Sequence, residues 1–297
     1  MHSVTVRVPA KLNLGLEVLR RRPDGYHELA TIFQAIDIYD EFTVEPAGAL
    51  EYHGDPRIPA GGDIARRAFL ELGRERGWTG AISVHKQIPI AGGLGGGSSD
   101  AALPLRLAAL ADPSFDAHER ARVIGADVPF FLRGGTALGR GIGDVLEPLP
   151  TPPWWFVIAV PEVQIERKTA ALFAGLRPDD FSDGWRVEAL ARQLRAGDRS
   201  LPPELPNAFA RQVFEYPQAA ALRDALLQLA GRVALSGAGP SLFSWHDARD
   251  DAERVAGELG TRTSAPVFVA RALGPHGDES DLAAFLRVLT AGRRSGY

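Results

Sequence analysis

The chain begins with apolar residues at alternate positions. They alternate with polar residues over positions 4–8 and, after Pro9, again over positions 12–18. Such alternation is typical of a strand with one buried face, so it predicts two strands at the start of the fold. Lys11 and Asn13 fall on the opposite face of the second predicted strand.

Capping residues mark two helices in the first half of the chain. Asp63 is a typical N-cap for the first helix, and glycine, here Gly77, is a typical residue at which a helix ends. Asp116 and Glu119 have the spacing of a capping box, and Gly125 ends the second helix. The pattern therefore predicts one helix between residues 63 and 77 and another between residues 116 and 125.

Between these helices a further alternating segment, residues 82–88, predicts a strand. It carries Lys86 on its apolar face, where a charge needs a partner. The strand leads into a glycine-rich segment, and Ser98, Ser99 or Asp100 is expected to cap the helix that follows.

Four prolines in residues 148–153 separate two patterned regions and predict a domain boundary. We therefore expect one domain over residues 1–150 and a second over residues 151–297. In the second domain a strand, several helices, two strands, a helix and a strand follow one another, which suits a ferredoxin-like α+β layer. A last helix, residues 280–289, is expected to dock on that layer.

Composition narrows the classes of function. A hydrophobic content of 45% is ordinary for a globular protein, and a net charge of -4 argues against nucleic-acid binding. No apolar run approaches the roughly 20 residues of a membrane span, and residues 1–8 do not resemble a signal peptide, so we expect a cytoplasmic protein without membrane contact. Without cysteine, thiolate catalysis and Cys-ligated zinc are excluded.

Lysine is rare in this chain. Of 33 basic residues only Lys11, Lys86 and Lys168 are lysine, and the others are arginine. A lysine that survives such a bias can mark a site that needs a compact point charge, as phosphate binding does. The alternative is that codon bias left three lysines by chance.

The segment of residues 89–99, here called the glycine loop, holds five glycines between a predicted strand and a predicted helix. Its backbone N–H groups can approach an anion at a helix N-terminus, and polyphosphate is the natural ligand. The alternative is a tight or flexible turn without a ligand. A Walker loop fails because Ser98 stands where lysine is required, and Ser98 breaks the dinucleotide fingerprint as well. The protein-kinase motifs are absent.

Three motifs resemble those of the GHMP kinases, the superfamily of galactokinase, homoserine kinase, mevalonate kinase and phosphomevalonate kinase. They are residues 86–102 with the glycine loop, residues 9–16, and residues 236–243, here called the C-terminal glycine motif. The resemblance implies an α+β fold of two domains, the first like domain 2 of ribosomal protein S5 and the second ferredoxin-like. It also implies an ATP-dependent small-molecule kinase. The implied ATP-binding residues are Lys86, Pro89, Ile90, Ala91, Gly92, Gly93, Leu94, Gly95, Gly96, Gly97, Ser98 and Ser99.

Residues 22–28 and 125–131 resemble one branch of the superfamily. That branch phosphorylates the 2-hydroxyl of 4-diphosphocytidyl-2-C-methyl-D-erythritol in the non-mevalonate route to isoprenoid precursors. The alternatives are a GHMP kinase for another small alcohol, mevalonate-like or homoserine-like, and a non-catalytic ATP-binding protein of the same fold. The non-catalytic alternative predicts loss of the catalytic base or of its lysine.

The resemblance makes Asp127 the general base and Lys11 its charged partner. Asp127 could instead be an N-cap after Gly125, and Lys11 could be a solvent-exposed lysine at a strand edge. Both residues are present, as a kinase requires.

The resemblance further implies that Asn13, Tyr26, His27, Thr169 and Phe173 bind the substrate. Tyr26 would stack on cytosine, His27 would bond to its edge, and Phe173 would close the other side. The alternatives are an exposed aromatic residue beside a turn for Tyr26 and core packing for Phe173.

Mg²⁺ is expected together with ATP because the phosphate charge must be offset, although the sequence names no protein ligand beyond the hydroxyls of Ser98 or Ser99 as candidates. Two departures from the family pattern stand out. Asp63 replaces the usual asparagine, which puts an adenine contact there in doubt, and Pro104 falls inside the helix after the glycine loop. The expected assembly is a monomer or a weak homodimer.

Overall fold

A computed structural model describes residues 2–163 and 168–291. The first half of the chain forms a mixed sheet of six strands in which β1 and β2 are long antiparallel partners. From the other side β2 pairs in turn with β4 and with β5, and β3 and β6 form the edges. The strands are β1 (Val4–Arg21), β2 (His27–Glu45), β3 (Leu50–His53), β4 (Gly80–His85), β5 (Thr136–Arg140) and β6 (Val145–Leu149).

The expectation of two opening strands is wrong, because β1 is one strand of 18 residues. Pro9 cannot donate a backbone hydrogen bond, but the pairing register with β2 shifts between Pro9 and Ala10, so a β-bulge absorbs the proline without ending the strand. Lys11 and Asn13 follow directly after this bulge and are buried. The irregularity therefore lies where two polar side chains enter the interior.

Helices α1 (Ile64–Arg76) and α3 (Ala117–Ile124) begin and end as the capping pattern predicts. Oδ1 of Asp63 accepts from the backbone N of Arg66 at 2.9 Å, and Gly77 closes α1 with φ of +58°. Oδ1 of Asp116 accepts from the backbone N of Glu119 at 2.9 Å. Both caps are confirmed.

Helix α2 (Gly96–Ala111) begins earlier than expected, with Gly95 rather than a serine at its N-cap. Ser98, Ser99 and Asp100 lie inside its first turns, and the prediction that one of them caps it is wrong. Pro104 is accommodated within the helix, whose buried face packs on α1 and on the short helix α4 (Val128–Phe131). The glycine loop thus runs directly into a helix N-terminus.

The second half builds a four-stranded antiparallel sheet in the order β10–β7–β9–β8, with helices between the strands. This is the strand order of a ferredoxin-like fold, as predicted. Its elements are β7 (Trp155–Ala159), α5 (Lys168–Ala174), α6 (Trp185–Arg195), α7 (Ala210–Val213), α8 (Pro217–Ala230), β8 (Ala234–Leu235), β9 (Leu242–His246), α9 (Arg249–Gly260) and β10 (Val267–Arg271).

The last helix, α10 (Ser280–Thr290), packs on the first sheet and not on the second, contrary to the expectation. Its Phe285 and Leu289 belong to the same core as Phe69 of α1, and the backbone N of Thr79 donates to the carbonyl of Leu289 at 2.8 Å. The proline segment, between β6 and β7, connects the first sheet to the second, but the chain returns to the first sheet after β10. The division at residue 150 stays a prediction.

Among the described residues, no helix has the length and apolar character that crossing a membrane requires.

Candidate active site

A cavity of about 950 Å³ is lined by residues from both halves of the chain. Two groups of its lining residues matter for chemistry. The charged cluster consists of Lys11, Gly93, Gly95, Asp127 and Lys168. The aromatic cluster consists of Tyr26, His27, Phe173, Phe181 and Phe209. Helix α5 connects the two clusters, since Lys168 is its first residue and Phe173 is its last residue but one.

The two residues predicted to be catalytic lie together in the charged cluster. Nζ of Lys11 is 3.3 Å from Oδ2 of Asp127, and the Lys11 side chain is 4% exposed against 34% for Asp127. Asp127 stands at the N-cap position of α4, but its side chain makes no capping hydrogen bond. The carboxylate is therefore available to the cavity, and the interpretation of Lys11 as a solvent-exposed lysine is wrong.

Asn13 holds Lys11 in place. Its Oδ1 accepts from Nζ of Lys11 at 2.6 Å, and its Nδ2 donates to Oγ1 of Thr31 at 2.8 Å. Thr31 in turn donates to the carbonyl of Gly15 at 2.7 Å. Asn13 was predicted to bind substrate; the structure shows it lining the cavity with its carbonyl oxygen and one amide hydrogen already used. Such a chain of buried hydrogen bonds fixes the direction of the lysine side chain.

The glycine loop and the C-terminal glycine motif pack on each other. Ser236 Oγ donates to the carbonyl of Gly93 at 3.1 Å, and the backbone N of Ser241 donates to the carbonyl of Gly92 at 3.2 Å. Gly93 has φ of +83°, and a Cβ there would lie 2.5 Å from the carbonyl oxygen of Ser236. Only glycine permits this approach. The two motifs, 140 positions apart in the sequence, thus form one wall.

Not all residues of the predicted ATP site face this cavity. Gly93 and Gly95 line it, whereas the other residues of the glycine loop do not. The N–H groups of the first turn of α2 have no acceptor within the helix, so they can bind an anion at the end of the loop. Ser99 Oγ, in the same turn, is buried without a hydrogen-bond partner.

Lys86 does not line the cavity. It follows β4, and its buried ammonium bonds to Asp40 and, at 2.5 Å, to Asp100. Burial by itself lowers the pKa of Lys86, but the two carboxylates raise it overall. Burial also raises the pKa of Asp100 well above its usual range. The prediction that Lys86 has a charged partner is confirmed, but both its neighbours are protein carboxylates, so its predicted contact with ATP has no support in this geometry.

In the aromatic cluster the ring of His27 stacks on Phe173, with centroids 4.7 Å apart. Phe181 lies 6.2 Å from His27, and Phe209 meets Phe173 edge to face at 4.9 Å. Tyr26 is 61% exposed beside the turn that joins β1 and β2. His27, which is expected to bond to the edge of the base, also covers one face of Phe173 in this structure.

The surroundings of His27 favour a neutral ring. Burial lowers the pKa of His27, and the nearby charge of Arg21 lowers it further. Arg21 pairs with His27 across β1 and β2 and also lines the cavity. A neutral imidazole carries one donor and one acceptor, which suits the edge of a pyrimidine base.

Both residues of the predicted pair on α5 line the cavity, Thr169 in the first turn and Phe173 one turn later. Phe173 also packs against the core of the second half of the chain. The two interpretations of Phe173, contact with a ligand and core packing, are therefore compatible in this structure.

Sequence reasoning missed several residues of the cavity. Lys168 had a signal, its rarity, and the structure brings it to the glycine loop. Phe181 and Phe209 had none beyond being apolar. Asn207, which does not itself line the cavity, had none either. Its Nδ2 donates to the carbonyls of Leu235 and Gly237, both at 2.9 Å, and so shapes the C-terminal glycine motif.

Two families match the chain. GHMP kinases N terminal domain matches residues 63–135, and GHMP kinases C terminal matches residues 188–264. A 4-diphosphocytidyl-2-C-methyl-D-erythritol kinase of Dehalococcoides mccartyi is 36% identical over 284 residues, which cover 92% of this chain and 99% of the relative. The protein of the same name from Thermus thermophilus is 39% identical over 259 residues, covering 84% and 90%.

Solved structures agree with these matches. One described as 4-(cytidine 5'-diphospho)-2C-methyl-D-erythritol kinase has a TM-score of 0.78 at 36% identity and covers 91% of this chain and 99% of its own. The homoserine kinase of Cytophaga hutchinsonii has a TM-score of 0.64 at 17% identity, covering 93% and 97%, and shows the fold alone. The predicted GHMP kinase fold is confirmed.

Proposed function

The chain belongs to the 4-diphosphocytidyl-2-C-methyl-D-erythritol kinase family of the GHMP kinases, and we propose that it transfers the γ-phosphoryl group of ATP to the 2-hydroxyl of that cytidyl substrate. This reaction belongs to the non-mevalonate pathway of isoprenoid precursors. The observation that carries the proposal is the pair of Lys11 and Asp127, 3.3 Å apart in a cavity that also has an aromatic cluster.

The pair supplies the proton chemistry. As the substrate oxygen attacks the γ-phosphorus, Asp127 accepts the hydroxyl proton, and the bond from the γ-phosphorus to the bridging oxygen breaks to release ADP. Lys11 holds the attacking oxygen and places its positive charge 3.3 Å from the carboxylate of Asp127. Asn13 positions Lys11 through the bond to its Nζ. The exposed third of the Asp127 side chain leaves a path for the hydroxyl.

The glycine loop and the N-terminus of α2 would hold the phosphates of ATP. Backbone N–H groups at a helix N-terminus bind anions without a side chain. Mg²⁺ would offset the phosphate charge, and Ser99 is the residue that would hold it, since its buried hydroxyl lacks a partner.

The aromatic cluster would hold the cytidine. Tyr26 offers an exposed ring on which the base stacks, and the neutral His27 bonds to its edge. Phe173 stacks on the ring of His27 and so supports it, rather than stacking on the base opposite Tyr26. Thr169 adds a hydroxyl within the same wall. That the protein is a cytoplasmic monomer or weak homodimer stays a prediction from the sequence.

A coupled assay of ADP release tests the proposal. The full chain would be given ATP with 4-diphosphocytidyl-2-C-methyl-D-erythritol, mevalonate or homoserine, each in separate reactions. We expect turnover with the cytidyl substrate alone. Turnover only with mevalonate or homoserine would contradict the substrate, and no turnover with any alcohol despite ATP binding would favour the non-catalytic alternative.

A further inference from the structure

Each of the three lysines of the chain forms a hydrogen bond with the glycine loop or with helix α2, which follows it. The backbone N of Lys11 donates to the carbonyl of Leu94 at 2.9 Å, and Nζ of Lys86 bonds to Asp100 in the first turns of α2. Nζ of Lys168 donates to the carbonyl of Ala91 at 2.5 Å. Lys11 and Lys168 thus contact the glycine loop itself, and Lys86 contacts the helix that follows it.

These lysines differ in how their charge is compensated. Lys11 has Asp127, and Lys86 has both Asp40 and Asp100. Lys168 bonds to two backbone carbonyls, and no described carboxylate forms a salt bridge with it. Carbonyl oxygens satisfy donors but carry no net charge, so this ammonium lacks a counter-charge among the described residues.

The position of Lys168 makes that lack costly. Lys168 is half-buried and lines the cavity as part of the charged cluster. Burial, and then the charge of Lys11, lower the pKa of Lys168 to about 8. An anion bound next to Lys168 would offset both effects, because this ammonium would gain a partner of opposite sign.

The two carbonyls also orient Lys168. They belong to Ala91 of the glycine loop and to Gly239 of the C-terminal glycine motif. An ammonium has three donors, so two bonds to these carbonyls leave one for a ligand. Both acceptors lie in the wall that the two glycine motifs form, so the ammonium lies on the phosphate side of the cavity and not in the aromatic cluster.

We propose that Lys168 is a further phosphate-binding residue, whose ammonium, fixed by the carbonyls of Ala91 and Gly239, donates its remaining N–H to the polyphosphate of ATP. The proposal rests on the proposed function, which supplies ATP as the ligand. Lys168 then shares with Lys11 the charge on the phosphates, and Lys86 is left to hold Asp40 and Asp100 together beneath the loop. Lysine acts here as a point charge.

Binding measurements on the full chain test this. The affinities of the Lys168→Met and Lys168→Arg variants for ATP, adenosine and cytidine diphosphate would be measured by calorimetry. We expect Lys168→Met to weaken ATP binding about 10- to 100-fold, the range for losing one charge-assisted hydrogen bond, with adenosine and cytidine diphosphate unchanged. Lys168→Arg should restore part of the ATP affinity, because it keeps the charge.

Three outcomes would overturn the proposal. ATP affinity could stay unchanged in Lys168→Met; cytidine diphosphate, rather than ATP, could lose affinity; or all three ligands could weaken together with a fall in Tm, as a purely structural clamp predicts. Arg192→Met, which removes a cation on an exposed face of α6, is the matched control and should leave every affinity unchanged.

Failure of the proposed function is distinguishable from failure of this proposal. The calorimetry needs no turnover, so wild-type protein that binds ATP but leaves the cytidyl substrate unphosphorylated contradicts only the reaction. Wild-type turnover combined with normal ATP affinity in Lys168→Met contradicts only the role of Lys168.

Discussion

The charged cluster and the aromatic cluster share one cavity but are built differently. In the charged cluster the side chains are held by directed polar contacts: Lys11 is fixed by Asn13, which in turn bonds to Thr31, and Lys168 bonds to two backbone carbonyls. The aromatic cluster is held by ring contacts and ends in the exposed ring of Tyr26. The groups for proton and phosphate chemistry in the charged cluster are therefore fixed before a ligand arrives, whereas the aromatic cluster, which would recognise the base, is open to solvent. Each of the following predictions separates the two clusters.

Asp127→Ala should give the largest effect. Losing a general base typically lowers turnover by about 10²- to 10⁴-fold, so kcat should fall in that range while the Kd for ATP stays within about twofold. Steady-state kinetics and calorimetry measure the two quantities.

A second variant, Asp116→Ala, serves as the control for that experiment. Asp116 is a true cap, accepting from the backbone N of Glu119, so its loss should cost about 1 kcal/mol of stability and leave kcat unchanged. If Asp127→Ala behaved like Asp116→Ala, with lower stability and normal kcat, Asp127 would be a cap and the charged cluster would lose its base.

Gly93→Ala should come next. The new Cβ would lie 2.5 Å from the carbonyl of Ser236 at a φ of +83°, which forces the two glycine motifs apart. We expect a loss of about 2 kcal/mol or more in the free energy of unfolding, together with weaker ATP binding. Denaturant unfolding and calorimetry would measure both.

Gly257→Ala is the matched control for that substitution. Gly257 lies within α9, where a Cβ meets nothing within 4 Å, so the change should be neutral or slightly stabilising. Equal effects at both glycines would mean that the wall between the motifs is not as tight as the structure indicates.

Phe173→Ala should act on the aromatic cluster alone. Phe173 stacks on His27, and such an aromatic pair contributes about 0.5–1.5 kcal/mol. Because His27 loses this support, the KM for the cytidyl substrate should rise up to about 10-fold with little change in kcat. Phe173→Tyr should retain the wild-type KM. A fall in Tm without any change in KM would assign Phe173 to the core only.

The smallest effect concerns pH. Burial and the charge of Arg21 lower the pKa of His27, so the ring becomes protonated at a lower pH than an ordinary histidine does. The KM for the cytidyl substrate should therefore be constant from about pH 8 to about pH 6.5, the usual pKa of histidine, and rise below it. In Arg21→Gln the rise should begin at higher pH. An inflection that does not move would show that His27 does not contact the base.

Much of the fold was predictable because its signals are local. The caps at Asp63 and Asp116 depend on one side chain and the next turn of backbone, and both are as predicted. The predicted start of α2 is wrong, because Gly95, with φ of +75°, takes the N-cap position before the chain reaches the serines. The predicted break of the strand at Pro9 is wrong, because a bulge in the pairing with β2 keeps the strand intact. No local sequence pattern reveals this bulge.

The candidate site was predictable only in part. The motifs that identify a kinase also name Lys11, Tyr26, His27 and Asp127, and all four line the cavity. Lys86 was named by the same resemblance but faces Asp40 and Asp100, because Asp40 approaches from a strand distant in sequence. Asn207 and Phe209 could not be named, since their roles arise from contacts with residues distant in sequence, such as Gly237 for Asn207 and Phe173 for Phe209.

The sequence by itself determined the class of protein and the chemistry: the glycine-rich segment, the rare lysines and the spaced motifs are one-dimensional features that need no contacts to be recognised. Only the tertiary structure decided which of these groups act together. It paired Lys11 with Asp127, gave Lys86 two carboxylates, left Lys168 with none among the described residues, and laid His27 on Phe173. The physical reason is that charge compensation and ring stacking depend on separations of a few ångströms between residues far apart in the chain, and packing alone sets those separations.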